Sequence, residues 1–248
     1  MSRILPIPEE LLRRSIRVIR PRDLKDVYAN PSQELDRLAS KSVVLRLAHG
    51  YYGVPPAEGL GDPAWKPEIE PVAFGIAAAD QGPRRVALVG ISAARVLGFV
   101  PRALASGVVA VPVRRRPLDT VAGQVHFWNR NVGALETQVW RHELGQGRAS
   151  TVEQALLEIA HLPERGHIDV STAEEALRGL ASAADWSHVL ELARSQRLET
   201  AYRRARWFAD ALVPDAPLLG RPRHSVTSRG IRPVEPTEGW PFGVRDDR

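Results

Sequence analysis

The stretch NPSQELDRLASKSVVLRLAHGYYGVP, residues 30–55, holds a helix start, an amphipathic helix and a hairpin in immediate succession. Asn30 at the N-cap, Pro31 at the first helical position and Gln33 at the third make a capping-box arrangement, so a helix is expected from there to about Lys41. Leu35, Leu38 and Ala39 fall on one face at i, i+3, i+4 and are expected to pack inward. Gln33, Arg37 and Ser40 are left on the opposite face, flanked by Ser32, Asp36 and Lys41. SVVLRLAHGYYGVP then reads as two short strands around a turn at Ala48–Gly50, closed by Pro55 and Pro56.

Upstream, residues 5–16 alternate apolar and charged positions at helical spacing, and a second helix is expected to start at Pro21. Three helices followed by a hairpin is the order of a winged helix-turn-helix, with the hairpin as the wing. In such a module Arg37 would donate two hydrogen bonds to guanine and Gln33 would pair with adenine, while Ser32, Ser40 and Lys41 hold phosphates. Arg46 and His49 would meet the backbone from the wing, where Gly50 has no side chain to hold a phosphate away. Asp36 opposes this reading, since it repels phosphate unless it accepts from a cytosine amino group. Tyr51 and Tyr52 are expected to fix the wing against the helices.

Charge distribution agrees with a nucleic-acid partner. The 248 residues carry a formal +5. Between Leu11 and Gly53, nine basic residues stand against four acids (Asp23, Asp26, Glu34, Asp36), so the excess is concentrated there. The absence of cysteine excludes disulfides, thiolate metal sites and cysteine nucleophiles. The most apolar stretch, VALVGISAARVLGFV at 86–100, is interrupted by Arg95 and by glycines, so no membrane span is expected. The start, MSRILPIPEELLRR, lacks the apolar core of a secretory signal, and a cytoplasmic location is expected.

Beyond the hairpin, GLGDPAWKPEIEP is rich in Gly, Pro and acids and reads as a linker with a helix beginning near its end. A helix around 68–80, a strand at RRVALV, a helix at ISAARVLGF, strands at GVVAVPV, GQVHFW and LETQVWRHEL, and a helix at STVEQALLEIAHL follow. Residues 171–212 read as helical throughout, with Ser171 as an N-cap and one helix over 191–210. The expected fold class is α+β. It has a winged helix-turn-helix over 1–58, a linker over 59–71, a mixed sheet and helix part that turns all-helical over 72–212, and a Pro-rich tail over 213–248.

Chemistry-bearing patterns in the second part are sparse. VALVGISAARVLG has neither the glycine spacing of a dinucleotide site nor a Gly-Lys-Ser/Thr phosphate loop, and it reads as packing between a strand and a helix. Glu158, His161, His167 and Asp169 are metal-ligand types, but only Glu158 and His161 share a helical face, so no metal is expected. The three lysines, Lys25, Lys41 and Lys66, do not accompany a nuclease-like pair of acids, and no serine sits in a recognisable triad motif. No catalytic residues and no cofactor are expected. Arg114, Arg115 and Arg116 form a charge run at a strand end, a solvated rim or an additional DNA or partner contact.

The order of these segments, from the helices ending in RLAHGYYGVP through RRVALVGISAARVLGF and VAVPVRRR to RASTVEQALLEIAHL and an all-helical end, resembles the AbiEi family of type IV antitoxins, especially its actinobacterial members. That family consists of DNA-binding autorepressors of a two-gene operon whose second gene encodes a nucleotidyltransferase toxin. The resemblance implies that the Asn30-capped helix and the wing bind operator repeats in double-stranded DNA, and that residues from about 70 onward support antitoxin activity. The alternative is a stand-alone winged-helix transcription regulator with no toxin partner.

Overall fold

The computed structural model describes residues 14–211. Residues 1–13 and 212–248, the latter including the Pro-rich stretch, lie outside the described residues.

The described chain enters extended. β1 (Val18–Ile19) pairs antiparallel with β3 (Tyr51–Gly53), which pairs with β2 (Leu45–Ala48), giving a small sheet of order β1-β3-β2. The helix expected over 5–16 therefore does not include its last residues. Ile16 bridges to Gly145 and the Arg17 amide donates to the Leu144 carbonyl at 2.9 Å, which draws the backbone straight. The helix expected at Pro21 is a single 3-10 turn, Pro21–Leu24, closed by Asp23 accepting from the Arg20 amide at 3.0 Å. α1 (Pro31–Ala39) begins where Asn30 and Pro31 place it, but the Asn30 side chain makes no cap bond. Leu35 and Leu38 from α1 meet Ile19, Leu24, Val44, Tyr52 and Val54 in one buried cluster, with Ala39 packed against it.

The hairpin turns at His49 and Gly50, and the φ of +78° at Gly50 is where glycine escapes the Cβ clash of the left-handed region. Ala57–Gly59 forms a 3-10 turn, and the Gly/Pro-rich stretch after it runs directly into α2 (Ile69–Gln81).

The larger sheet contains β4 (Ala87–Leu88), β5 (Ser106–Val111), β6 (Leu118–Thr120), β7 (Gly123–Asn129), β8 (Thr137–His142) and β9 (Gly145–Ser150), in the order β6-β7-β5-β4-β9-β8. β5/β7 and β4/β9 are parallel pairs and the others antiparallel, so the sheet is mixed. β6 and β9 are additions to the sequence reading. GQGRAS has no β-branched residue and two glycines, and a Cβ at Gly147 would sit 3.0 Å from the Phe74 ring. Packing against α2 thus selects glycine where strand propensity would select against it.

Alternation along β5 separates two layers. A Cβ on Gly107 would meet Ala73 and Ile69 of α2, whereas Val108 points at the opposite layer, near Ile91 of α3 (Gly90–Val96). α4 (Val152–His161) packs against α3 and against the C-terminal helices. The region from 171 to 211 is helical apart from two short breaks, and the helix expected over 191–210 is interrupted at Arg197. α5 (Val170–Ala183), α6 (Trp186–Gln196) and α7 (Glu199–Ala211) are separated at Asp185, which accepts from the Ser187 and His188 amides, and at Arg197, held at φ +58°. The cap of α5 is Asp169, accepting from the Thr172 amide, and Ser171 lies inside the helix.

The small sheet packs on the outside of α2. A Cβ on Gly75 would lie 2.3 Å from Val18 Cγ2, so only glycine admits β1 at this distance. The Val121 amide also donates to the Leu47 carbonyl at 2.9 Å, fastening the turn after β6 to the hairpin.

Candidate functional site

α1 and the hairpin each carry exposed polar side chains. Ser32, Gln33 and Arg37 are exposed along α1, and Ser40 follows as its C-cap with its hydroxyl donating to the Arg37 carbonyl at 2.8 Å. Lys41 is exposed just beyond. On β2, Arg46 is exposed and in register with Tyr52, and its Nη2 lies 3.2 Å from His49 Nδ1 at the turn. Of the residues that sequence reading grouped, Arg46 and His49 meet each other at the hairpin turn, while Ser32, Gln33, Arg37, Ser40 and Lys41 are exposed on and just after α1.

Tyr52 joins the two elements. Its hydroxyl donates to Asp36 Oδ1 at 2.6 Å. Burial, reinforced by the hydrogen bond to that carboxylate, pushes the phenol up to about 12, so it stays a donor at any physiological pH. Asp36 thereby links the hairpin to the helix, and as an exposed acid on α1 it still opposes a phosphate.

Arg37 is not free in this state. Its Nε and Nη2 donate to Glu34 Oε2 and Oε1 at 2.9 and 2.5 Å, a bidentate pair one helical turn apart. The hydrogen bond from Arg37 holds the Glu34 carboxyl below its usual range. Sequence reading left Glu34 aside although the i, i+3 spacing announced it.

The turn end of the hairpin rests on a second carboxylate that sequence reading did not find. Asp80 at the end of α2 accepts from Tyr51 Oη at 2.8 Å, Arg20 Nη1 at 2.7 Å and Arg22 Nη2 at 3.3 Å, and also from Arg115 Nη1. Arg115 Nη2 donates to Tyr51 Oη at 2.9 Å, and its guanidinium lies 4.3 Å from the centre of the Phe127 ring. Arg115 is thus a strut between the sheets, while Arg114 and Arg116 on either side are exposed. Sequence separations of 29 to 60 residues hid this arrangement from any local pattern.

The residues weighed as metal-ligand types do not converge. Glu158 is 2% exposed and accepts from the Gly90 amide at 2.7 Å, from Ser150 Oγ and from Gln154 Nε2. Asp169 is occupied as a helix cap, and His167 lies beside His126. Among the described residues no group of three or more His, Asp or Glu side chains is placed to hold a metal ion. No helix among them is long and apolar enough to cross a membrane.

No protein-family model and no curated protein matches the chain. Among solved structures, it is similar to the crystal structure of the Rv2827c protein from Mycobacterium tuberculosis, with a TM-score of 0.55 and 19% identity over 82% of this chain and 74% of that one. At this identity the likeness shows the fold alone, a mixed α+β architecture.

Proposed function

We propose that residues 1–58 are a winged helix-turn-helix that binds double-stranded DNA, with α1 as the recognition helix and the β2–β3 hairpin as the wing. The observation that supports this reading is the Tyr52–Asp36 bond, which links the helix carrying exposed Ser32, Gln33 and Arg37 to the hairpin carrying Arg46 and His49. A helix tied rigidly to a basic wing supports groove and backbone contacts made by one body. The chain acts by binding rather than by catalysis.

Within that reading, α1 selects sequence and the wing supplies affinity. Arg46→Ala is expected to weaken binding to operator and scrambled duplexes about equally, and to lower the slope of log affinity against log salt by roughly one unit. Fluorescence anisotropy across a salt series separates these effects. Loss of sequence preference with an unchanged slope would give Arg46 a base-reading role and contradict the division.

The resemblance to AbiEi antitoxins extends the proposal to an autorepressor that counteracts a nucleotidyltransferase toxin from the cytoplasm, with residues beyond about 70 supporting rescue. Co-expression with a nucleotidyltransferase encoded beside the gene tests this. Growth rescue by the full chain, retained in Arg37→Ala, is expected. If the full chain gives no rescue while it still represses its operator, the stand-alone regulator is correct.

A further inference from the structure

The two ends of the large sheet are treated differently. At one end the turn after β6 is fastened to the hairpin by the Val121 amide and the Leu47 carbonyl, whereas β8, at the other end, pairs only with β9 among the described residues. Just beyond the pair Thr137 and Ser150, the Thr151 amide donates to the Glu136 carbonyl at 3.2 Å. In an antiparallel ladder the N–H and C=O of one residue point the same way, and the direction alternates from residue to residue. Glu136, Gln138, Trp140 and His142 therefore bond toward β9. Thr137, Val139 and Arg141 each turn an N–H and a C=O outward, at intervals of about 7 Å. Among the described residues nothing bonds to these outward groups. Exposed edges are normally blunted by proline, lysine or a bulge. β8 has none of these, and its register runs from Thr137 opposite Ser150 to His142 opposite Gly145 without a shift.

The side chains decide what kind of strand fits. Trp140 stands opposite Gly147, whose Cα faces the Phe74 ring, so Gln138, Trp140 and His142 lie on the α2 side of the sheet. Val139 and Arg141 lie on the other face with Gln146 and Arg148 of β9, and all four are exposed, Val139 at 63%. Arg148 Nε donates to Thr137 Oγ1 at 2.8 Å, which sets one guanidinium at the Thr137 end of β8 and that of Arg141 toward the other. Neither arginine has a carboxylate partner among the described residues. A second copy of β8 running antiparallel about Val139 would put Arg141 opposite the Thr137 that already carries Arg148, so like charges would meet. A strand with acids at those two places reverses the sign of that interaction.

We propose that β8 takes up an extended acidic segment of a partner protein as an added strand of the large sheet, with an apolar side chain opposite Val139 and a carboxylate two residues to either side. The outward amides and carbonyls give affinity, and the two arginines choose the partner. A phosphate backbone would satisfy the arginines but would leave the outward backbone groups and Val139 unused. The site lies outside α1 and the hairpin, so it stands independently of DNA binding there.

The test uses the full chain and two capped peptides, TETVTET and TKTVTKT, at constant ionic strength, read by anisotropy of the labelled peptide and by amide hydrogen exchange. The acidic peptide is expected to bind saturably and about three- to tenfold tighter than the lysine peptide, the range for two exposed ion pairs. It should slow exchange at Thr137, Val139 and Arg141. Val139→Pro deletes one outward N–H, which a free edge tolerates, so it should melt within about 3 °C of wild type and lose the peptide. Arg141→Glu, a surface change, should remove the preference for the acidic peptide. No saturable binding, equal binding of the two peptides by wild type, protection away from β8, or full peptide binding by folded Val139→Pro overturns the proposal. A concentration-dependent dimer that Val139→Pro abolishes overturns it by giving the edge to a second copy. Loss of random-duplex binding in Arg141→Glu, with no peptide bound by wild type, overturns it by assigning the arginines to DNA.

Discussion

Arg37→Ala is expected to weaken operator binding about five- to a hundred-fold and to relax preference at one base pair, the range for loss of one bidentate guanine contact. The fold should be untouched, since the guanidinium lies outside the buried cluster of Ile19, Leu35, Leu38 and Tyr52. The Glu34 clamp adds a second expectation with the opposite sign. In free protein the Arg37 fork is occupied by Glu34, so contact with guanine exchanges one acceptor pair for another. Glu34→Gln removes the competing carboxylate and a negative charge from the surface proposed to face DNA, and it should tighten binding several-fold. Anisotropy titrations of both variants on one operator check the pair. Equal affinities for wild type, Arg37→Ala and Glu34→Gln would remove α1 from the groove.

Asp80→Ala is expected to destabilise the molecule by about 2–4 kcal/mol, because it leaves Arg115 and the Tyr51 hydroxyl without their shared acceptor and Arg20 with Asp23 alone, at partly buried positions. For a chain of this size that corresponds to a fall of about 5–12 °C in melting temperature. Arg22→Ala is the control, since Arg22 is 61% exposed and its contact with Asp80 is screened by water, so a change of less than about 1 °C is expected. Asp80 holds the turn end of the hairpin through Tyr51, so its loss should also weaken the proposed DNA binding. Thermal melts and affinity on the same preparations check both consequences. An unchanged melting temperature would mean that the hairpin is held by its apolar contacts alone.

What was legible in the sequence was what local chemistry decides. Pro31 can only open a helix, and the spacing of Leu35, Leu38 and Ala39 leaves one inward face, so α1 was readable to within a residue or two. Gly50 between short apolar strands announced the turn, and Tyr51 and Tyr52 anchor the hairpin as their position suggested. The Ala-rich run from Ile69 to Gln81 likewise betrayed α2. β9 was illegible because its glycines answer to the Phe74 ring rather than to strand propensity. The break at Arg197 was hidden for a related reason: a left-handed arginine at the end of a helix is a tertiary choice with no sequence signature. The polar residues fell on both sides of this line. Exposed Gln33, Arg37 and Arg46 follow from periodicity, but the engagement of Asp36 by Tyr52 and of Arg115 by Asp80 required the folded chain.

The central claim, that α1 and the hairpin bind DNA as one unit, is tested most directly by anisotropy of the full chain. The probes are the duplex upstream of its own gene and a scrambled duplex of equal length, each titrated at several salt concentrations. The account predicts that the native duplex binds about a thousand-fold or more tightly than the scrambled one, and that both affinities fall steeply with salt. Equal affinity for the two duplexes, or binding indifferent to salt, would contradict it.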